Sequence, residues 1–230
     1  MTLPPFCQLL PPPPELLPGT RVVQASFDPA QLHSEDFLHS GVPPVNGVAK
    51  RQAEHLAGRL CAREALHQLC GQRELPRRDS DGVPVWPVGT VGSISHGAGR
   101  AVALVARRAD WRGLGIDLEQ ILSTERAARL AGEILTVTEL ERAAELTPSE
   151  FAKRVTLTFS LKESLFKGLY PLVRERFYFH DAELQAPDAT GRASLKLLID
   201  LHPDWPTGST LPGYFVEFDG YLLSLVAIAN

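Results

Sequence analysis

Cysteine is scarce in this sequence. The three residues, Cys7, Cys61 and Cys70, are odd in number and show no Cys-x-x-Cys spacing. With no recognisable secretory signal either, the expectation is free thiols in a reducing, cytoplasmic setting. Long apolar runs are missing too. None approaches the roughly 20 residues that a membrane-spanning helix needs, and the prolines at positions 4, 5, 11 to 14 and 18 exclude a helical leader and predict an extended arm. Positive charge is not in excess: 23 Lys and Arg stand against 27 Asp and Glu, a net charge of −4, which argues against nonspecific nucleic-acid binding as the main activity. What is there is an ordinary globular composition, 44% hydrophobic and 22% charged, in 230 residues. That length suits one large domain or two small ones.

The stretch that organises the rest is Gly115-Ile-Asp-Leu-Glu119. In an extended strand Asp117 and Glu119 share one face while Ile116 and Leu118 share the other. Two adjacent acids on one face suit a hard divalent cation, whose preferred ligands are carboxylate oxygens. The plainer alternative is an edge strand with two solvated acids. After the Pro-rich arm, residues 21–27 read as a short strand. Val48 to Leu69 reads as an amphipathic helix with Ala49, Ala53, Leu56, Ala57, Leu60, Ala65 and Leu69 on one side. Its other side carries Arg51, His55, Arg59, Arg63 and His67 at four-residue intervals. Like charges at that spacing disfavour a helix by a few tenths of a kcal/mol per pair, so such a ridge gains from an anionic ligand such as a phosphate; a simple solvated face is the alternative.

Asp81 to Pro87 reads as a turn and a short extended piece. In Val91-Gly-Ser-Ile-Ser-His-Gly97, read as a loop, the hydroxyls, backbone N–H groups and imidazole can meet an oxyanion. Ser95 as a hydrolase nucleophile fits poorly, because Ser93 stands where the elbow pattern needs Gly and His96 is its immediate neighbour. Residues 101–106 form an apolar strand, and residues 120–147 hold two helices, the second with a capping box at Thr136 and Glu139. Thr147-Pro148-Ser149-Glu150 starts a third helix, predicted to stop at Pro171. On it Glu163 falls in the largely apolar stripe Phe151, Val155, Phe159, Phe166 and Tyr170, where an acid needs a partner; an ordinary surface pair with Lys167 is the alternative. From Phe177 the chain reads as strands with turns at 188–191, 206–208 and 219–220, ending in a continuous apolar strand, 221–229, expected to be central. A long helix precedes strands in each half, which suggests two similar α+β halves.

Taken in order, Gly92-Ser-Ile-Ser-His96, Gly115 to Glu119 and Phe159-Ser-Leu-Lys-Glu-Ser-Leu-Phe-Lys167 resemble the signature of the 4′-phosphopantetheinyl transferases. The branch is the one with the enterobactin synthetase component and the broad-specificity pseudomonad enzyme, and residues 49–63, Gly82 to Pro87 and Phe177 to Phe179 also match it. The resemblance covers roughly residues 20–230. It implies an α+β pseudo-dimer of two similar halves with the active site in the cleft between them, divided as a 1–20 arm, a 21–112 half and a 113–230 half. It implies transfer of the phosphopantetheine arm of coenzyme A to a serine of an apo acyl, peptidyl or aryl carrier protein, with magnesium required and adenosine 3′,5′-bisphosphate released, by a monomer. By the same resemblance Asp117, Glu119 and Glu163 hold magnesium, and Glu163 or a water held by these acids takes the serine proton. Lys167 reaches a phosphate oxygen, and Ser95 and His96 meet the pyrophosphate. Lys50 and Arg51 meet the adenosine 3′-phosphate, with Arg59 and Arg63 as weaker candidates, and Gly82 to Pro84 lie along the nucleotide. Two departures stand out: Val83 replaces the Lys many members carry in that turn, and Phe159 replaces a Trp. The competing expectations are a coenzyme A or carrier-protein binding module without turnover, and a Ser95 hydrolase.

Overall fold

The computed structural model describes residues 3–230. The chain divides into two compact units, one reaching Arg112 and taking in Asn230, the other Gly113–Ala229. Each lays one long helix on a β-sheet.

The first unit contains β1 (Cys7–Leu10), β2 (Arg21–Phe27), α1 (Ser34–Ser40), α2 (Ala49–Cys70), a small hairpin of β3 (Arg77–Arg78) and β4 (Pro84–Val85), β5 (Thr90–Gly97) and β6 (Arg100–Arg107). Its main sheet is antiparallel in the order β1-β2-β6-β5. The run Ala101 to Ala106 is wholly buried, as its interior place in that order demands. α2 packs Ala53, Leu56, Ala57, Leu60 and Ala65 against Val23, Ala25, Ala103 and Val105, each fully buried leucine contributing about 2 kcal/mol. It ends where Gly71 takes a left-handed conformation, φ 76°.

Two expectations are corrected here. The Pro-rich residues do not stand apart as an arm: β1 pairs with β2, and Phe6, Cys7 and Leu17 are buried. The short run Phe6 to Leu10 lies between prolines at a sheet edge, where missing N–H groups cost least. Gly92 to His96 is not a loop but the middle of β5, with Ser95 opposite Val102 and His96 opposite Ala101. The small residues allow this; a Cβ at Gly92 would collide with the Leu104 carbonyl oxygen and the Trp86 ring.

The second unit follows with β7 (Trp111–Gln120), α3 (Thr124–Ile134), α4 (Val137–Ala143), α5 (Pro148–Val173), β8 (Ala182–Leu184), β9 (Arg192–Leu197), β10 (Thr210–Phe218) and β11 (Tyr221–Ala229). The sheet order is β7-β11-β10-β9-β8; β11 is buried and interior, as its apolar run predicts, but lies next to the edge strand while β10 takes the centre. Both capping boxes form, at Thr136 with Glu139 and at Thr147 with Glu150. α5 packs Leu157, Leu161, Leu165 and Leu169 against Leu195, Leu197, Leu222 and Val226. It runs past the predicted stop at Tyr170, taking Pro171 into its last turn and ending at Arg174, φ 60°. Only one N–H is lost that near the end, so the proline is tolerated. The three thiols are free, with Cys7 and Cys61 buried, as the spacing predicts.

Candidate active site

Close approach of β7 and α5 builds the acidic centre of the second unit. A Cβ added at Gly115 would run into the Ser164 carbonyl oxygen, and one at Gly113 would lie 2.7 Å from the Gly168 carbonyl oxygen. Glycine at these positions lets the strand backbone lie on the helix backbone and brings the next residue on that face, Asp117, against α5.

Asp117 is 2% exposed. Ser160 Oγ donates to its Oδ2 at 2.8 Å, and Lys167 Nζ donates to its Oδ1 at 2.6 Å. The reading of two solvated acids therefore fails for Asp117, although β7 is the terminal strand of its sheet. Glu119 is half-buried; burial first, then the negative charge of Asp117 and of Glu163, push its carboxyl up to about 7 against the pull of Lys167. Burial also raises Glu163, opposed by Lys167 and assisted by Asp117. The three acids thus act on one another, and Lys167 is the cation among them. Among the described residues no three His, Cys, Asp or Glu side chains stand close enough together to hold a metal ion; Asp117 is turned to Lys167 and Ser160. The donor set nevertheless fits a hard divalent cation. It consists of carboxylate oxygens only, and burial first, with the charge of Asp117 adding to it, raises both glutamates, a cost to their charged forms that such an ion would relieve.

Sequence reasoning missed three features of this unit. Lys162, in the same motif as Glu163, points away from the acids: it is 3% exposed and donates to Glu139 Oε2 at 2.7 Å and to the Ile134 carbonyl at 2.9 Å. Glu139 accepts in addition from Thr136 N and Leu184 N. Its capping-box spacing was legible; its burial was not. The second feature is a set of buried hydroxyls, Ser160, Ser164 and Ser224, of which the four-residue spacing of the first two was the available signal. The third is a cavity of about 240 Å³ lined by Lys162, Glu163, Phe166, Phe177, Phe179 and Ala182.

In the first unit the expected phosphate ligands separate into two groups. Lys50 is 70% exposed with Glu54 3.9 Å away, and Arg51 is exposed. His96 Nδ1 lies 3.6 Å from Glu54 Oε2. Arg59 and Arg63 are buried instead: Arg59 Nη1 donates to the Pro76 and Arg77 carbonyls, and Arg63 Nη1 to the Ser40 carbonyl at 2.9 Å. They tie α2 to neighbouring loops. Burial and Arg78 lower Arg59 to about 10. Gly82 is left-handed, φ 85°, and its carbonyl accepts from Arg78 Nε at 3.2 Å; Pro84 opens β4. A guanidinium therefore lies against the turn in which Val83 supplies no charge. Ser95 is buried. Strand alternation sends Ser95 and His96 to opposite faces of β5, so His96 is no base for Ser95 and the hydrolase expectation loses its only candidate pair.

Residues 45–106 match the model of the 4′-phosphopantetheinyl transferase N-terminal domain, and residues 113–226 match that of the 4′-phosphopantetheinyl transferase superfamily. The chain is similar to the 4′-phosphopantetheinyl transferase PptT of Mycobacterium tuberculosis, 35% identical over 211 residues that cover 86% of each protein. It is also similar to the 4′-phosphopantetheinyl transferase Svp of Streptomyces mobaraensis, 35% identical over 196 residues, covering 80% of this chain and 75% of that one. With enterobactin synthase component D of Salmonella typhi the identity is 36% over 154 residues, 65% of this chain and 62% of that protein. The matched region thus spans a little under two thirds of that protein's length.

Proposed function

The chain belongs to the 4′-phosphopantetheinyl transferase superfamily, and we propose that it transfers the 4′-phosphopantetheine arm of coenzyme A to a serine hydroxyl of an apo acyl or peptidyl carrier protein. The observation that carries this reading is the buried Asp117, held by Lys167 and Ser160, with Glu119 and Glu163 near enough for its charge to act on both. Acids so arranged suit the pyrophosphate of coenzyme A accompanied by a cation. Asp117, Glu119 and Glu163 would hold that ion, magnesium by the hardness of their oxygens, and when bound it supplies neutralisation of the pyrophosphate charge.

The chain's own residues do the rest. The acceptor serine oxygen forms a bond to the phosphorus that bears the pantetheine arm. The bond from that phosphorus to the bridging oxygen breaks, and adenosine 3′,5′-bisphosphate leaves with the electron pair. Glu163, made more basic by burial, receives the serine proton. Lys167 offers its ammonium to a phosphate oxygen. The cavity beside Glu163, walled by Phe166, Phe177 and Phe179, suits the uncharged pantetheine arm. In the first unit the exposed Lys50, Arg51 and His96 are the groups we assign to the nucleotide phosphates. No described helix is long and apolar enough to cross a membrane. We place the reaction in the cytoplasm, carried out by a monomer because one chain contains both units, on carriers of fatty-acid, peptide or siderophore synthesis.

A binding module without turnover is the competing reading, and the presence of all three acids and Lys167 speaks against it. Asp117→Ala, Glu119→Ala and Glu163→Ala are expected to keep the wild-type circular dichroism spectrum and each lose at least about 10²-fold in activity. Normal turnover in all three would overturn the assignment of the acids; coenzyme A binding without turnover in the wild type would favour the binding module.

A further inference from the structure

We infer that the buried serines of α5 and β11 form a one-way hydrogen-bond chain, Ser164 to Ser224 to Ser160 to Asp117, that positions the Asp117 carboxylate. Ser160, Ser164 and Ser224 are all fully buried. Ser160 Oγ lies 2.8 Å from Asp117 Oδ2 and 2.8 Å from Ser224 Oγ, which in turn lies 2.8 Å from Ser164 Oγ. Each hydroxyl has one hydrogen to give. An ionised carboxylate only accepts, so the Ser160 hydrogen is committed to Asp117. Ser224 must then donate to Ser160, and its own hydrogen is spent. Ser164 must therefore donate to Ser224, where the backbone carbonyl at 3.2 Å shares its hydrogen. Choosing one bond fixes the direction of all three.

These serines do not behave as hydroxyls that are merely tolerated in a helix. Thr156 and Thr158, on the same helix, bond back to the carbonyls of Ala152 at 2.7 Å and Arg154 at 2.9 Å, which is the ordinary way a buried helical hydroxyl is satisfied. Ser160 and Ser164 lie on the face turned to β7 and β11 and reach across to them. The glycine contact sets the backbone of β7, Lys167 holds one carboxylate oxygen, and the serine chain holds the other. Without Ser160 the carboxylate loses the hydrogen bond that holds Oδ2. Ser160, Ser224 and Ser164 are accordingly positioning residues, acting through Asp117.

This inference rests on the reading of Asp117 as a cation ligand, and the test separates the two. Mn²⁺ is titrated into the full-length protein with coenzyme A present, free Mn²⁺ being read by electron paramagnetic resonance, and thermal melts verify the fold. Ser160→Ala is expected to raise the Mn²⁺ dissociation constant about tenfold, the size of effect typical of groups that orient metal ligands. It should also raise the magnesium concentration for half-maximal rate while leaving the rate at saturating magnesium near wild type. Ser224→Ala should shift both in the same direction by less, and it carries the test alone if Ser160→Ala does not fold. Unchanged Mn²⁺ affinity in folded serine variants, with affinity lost in Asp117→Ala, overturns the inference and leaves the cation reading intact. Unchanged affinity in Asp117→Ala overturns the cation reading and takes the inference with it.

Discussion

His55 was read as one member of a cationic ridge, and its surroundings make it neutral. Burial first, then the positive charge of Arg59, lower it to about 4; the Pro43 carbonyl works the other way, and Arg78 and His96 add smaller repulsions. The folded value lies below the ordinary 6.5, so the unfolded chain takes up the proton more readily. The stability His55 contributes is therefore complete above about pH 6.5 and is lost as pH falls toward 4. In an NMR titration the His55 ring should have its midpoint near 4, and His55→Gln should flatten the decline in melting temperature between pH 6.5 and 4. A midpoint near 6.5 would contradict this. Periodicity identifies which side chains share a helix face. It does not identify which of them a loop will cover, and that is why Arg59 and Arg63, at the same spacing as exposed Arg51, turned out to be buried staples.

At the scale of elements, α5 is fixed by two contacts that differ in kind. One is the buried ion pair of Lys162 with Glu139, which joins α5 to α4 and, through Leu184 N, to β8. Burial pushes the Lys162 amine down while Glu139 pulls it up. Removing one partner leaves a buried charge, so Lys162→Met should cost about 3 kcal/mol in urea unfolding, at the low end of that range because Thr136 and Leu184 still donate to Glu139. A loss under about 1 kcal/mol would mean that the pair is solvated. The other contact is the glycine seam. Gly115→Ala sets a methyl group against the Ser164 carbonyl oxygen, so it should destabilise the fold by about 3 kcal/mol or more and depress activity beyond that, since Asp117 moves off Ser160. Wild-type stability and activity in this variant would remove the seam from the account. The elements themselves were legible: α2, α5, β2, β6 and β11 follow from periodicity, capping residues and apolar runs. The helix extension past Tyr170 was not, because a proline in a last turn forfeits only one hydrogen bond. β5 was not either, because Gly, Ser and His have weak strand preference and owe their conformation to pairing with β6.

For the whole molecule, the sequence pointed to two similar halves, each with a long helix beside strands, and each unit carries a long helix packed on its sheet. Gly115 to Glu119 was legible as chemistry because two acids alternate with two apolar residues. Its glycine was the less obvious part. That residue lets β7 touch α5, and the touch places Asp117 beside Ser160 and Lys167. The acids of the candidate site could be named from motif and spacing, whereas the hydroxyls behind Asp117 depend on contacts 40 or more residues apart in the chain, Ser160 with Asp117 and Ser164 with Ser224, and the cavity beside Glu163 depends on the chain folding back past the end of α5. The most direct test of the central claim is the mass of apo acyl and peptidyl carrier proteins after incubation with this protein, coenzyme A and magnesium. The expected result is a gain of one phosphopantetheine on the acceptor serine, abolished by a chelator and by Asp117→Ala. No gain on any carrier tested from fatty-acid or peptide synthesis would contradict it.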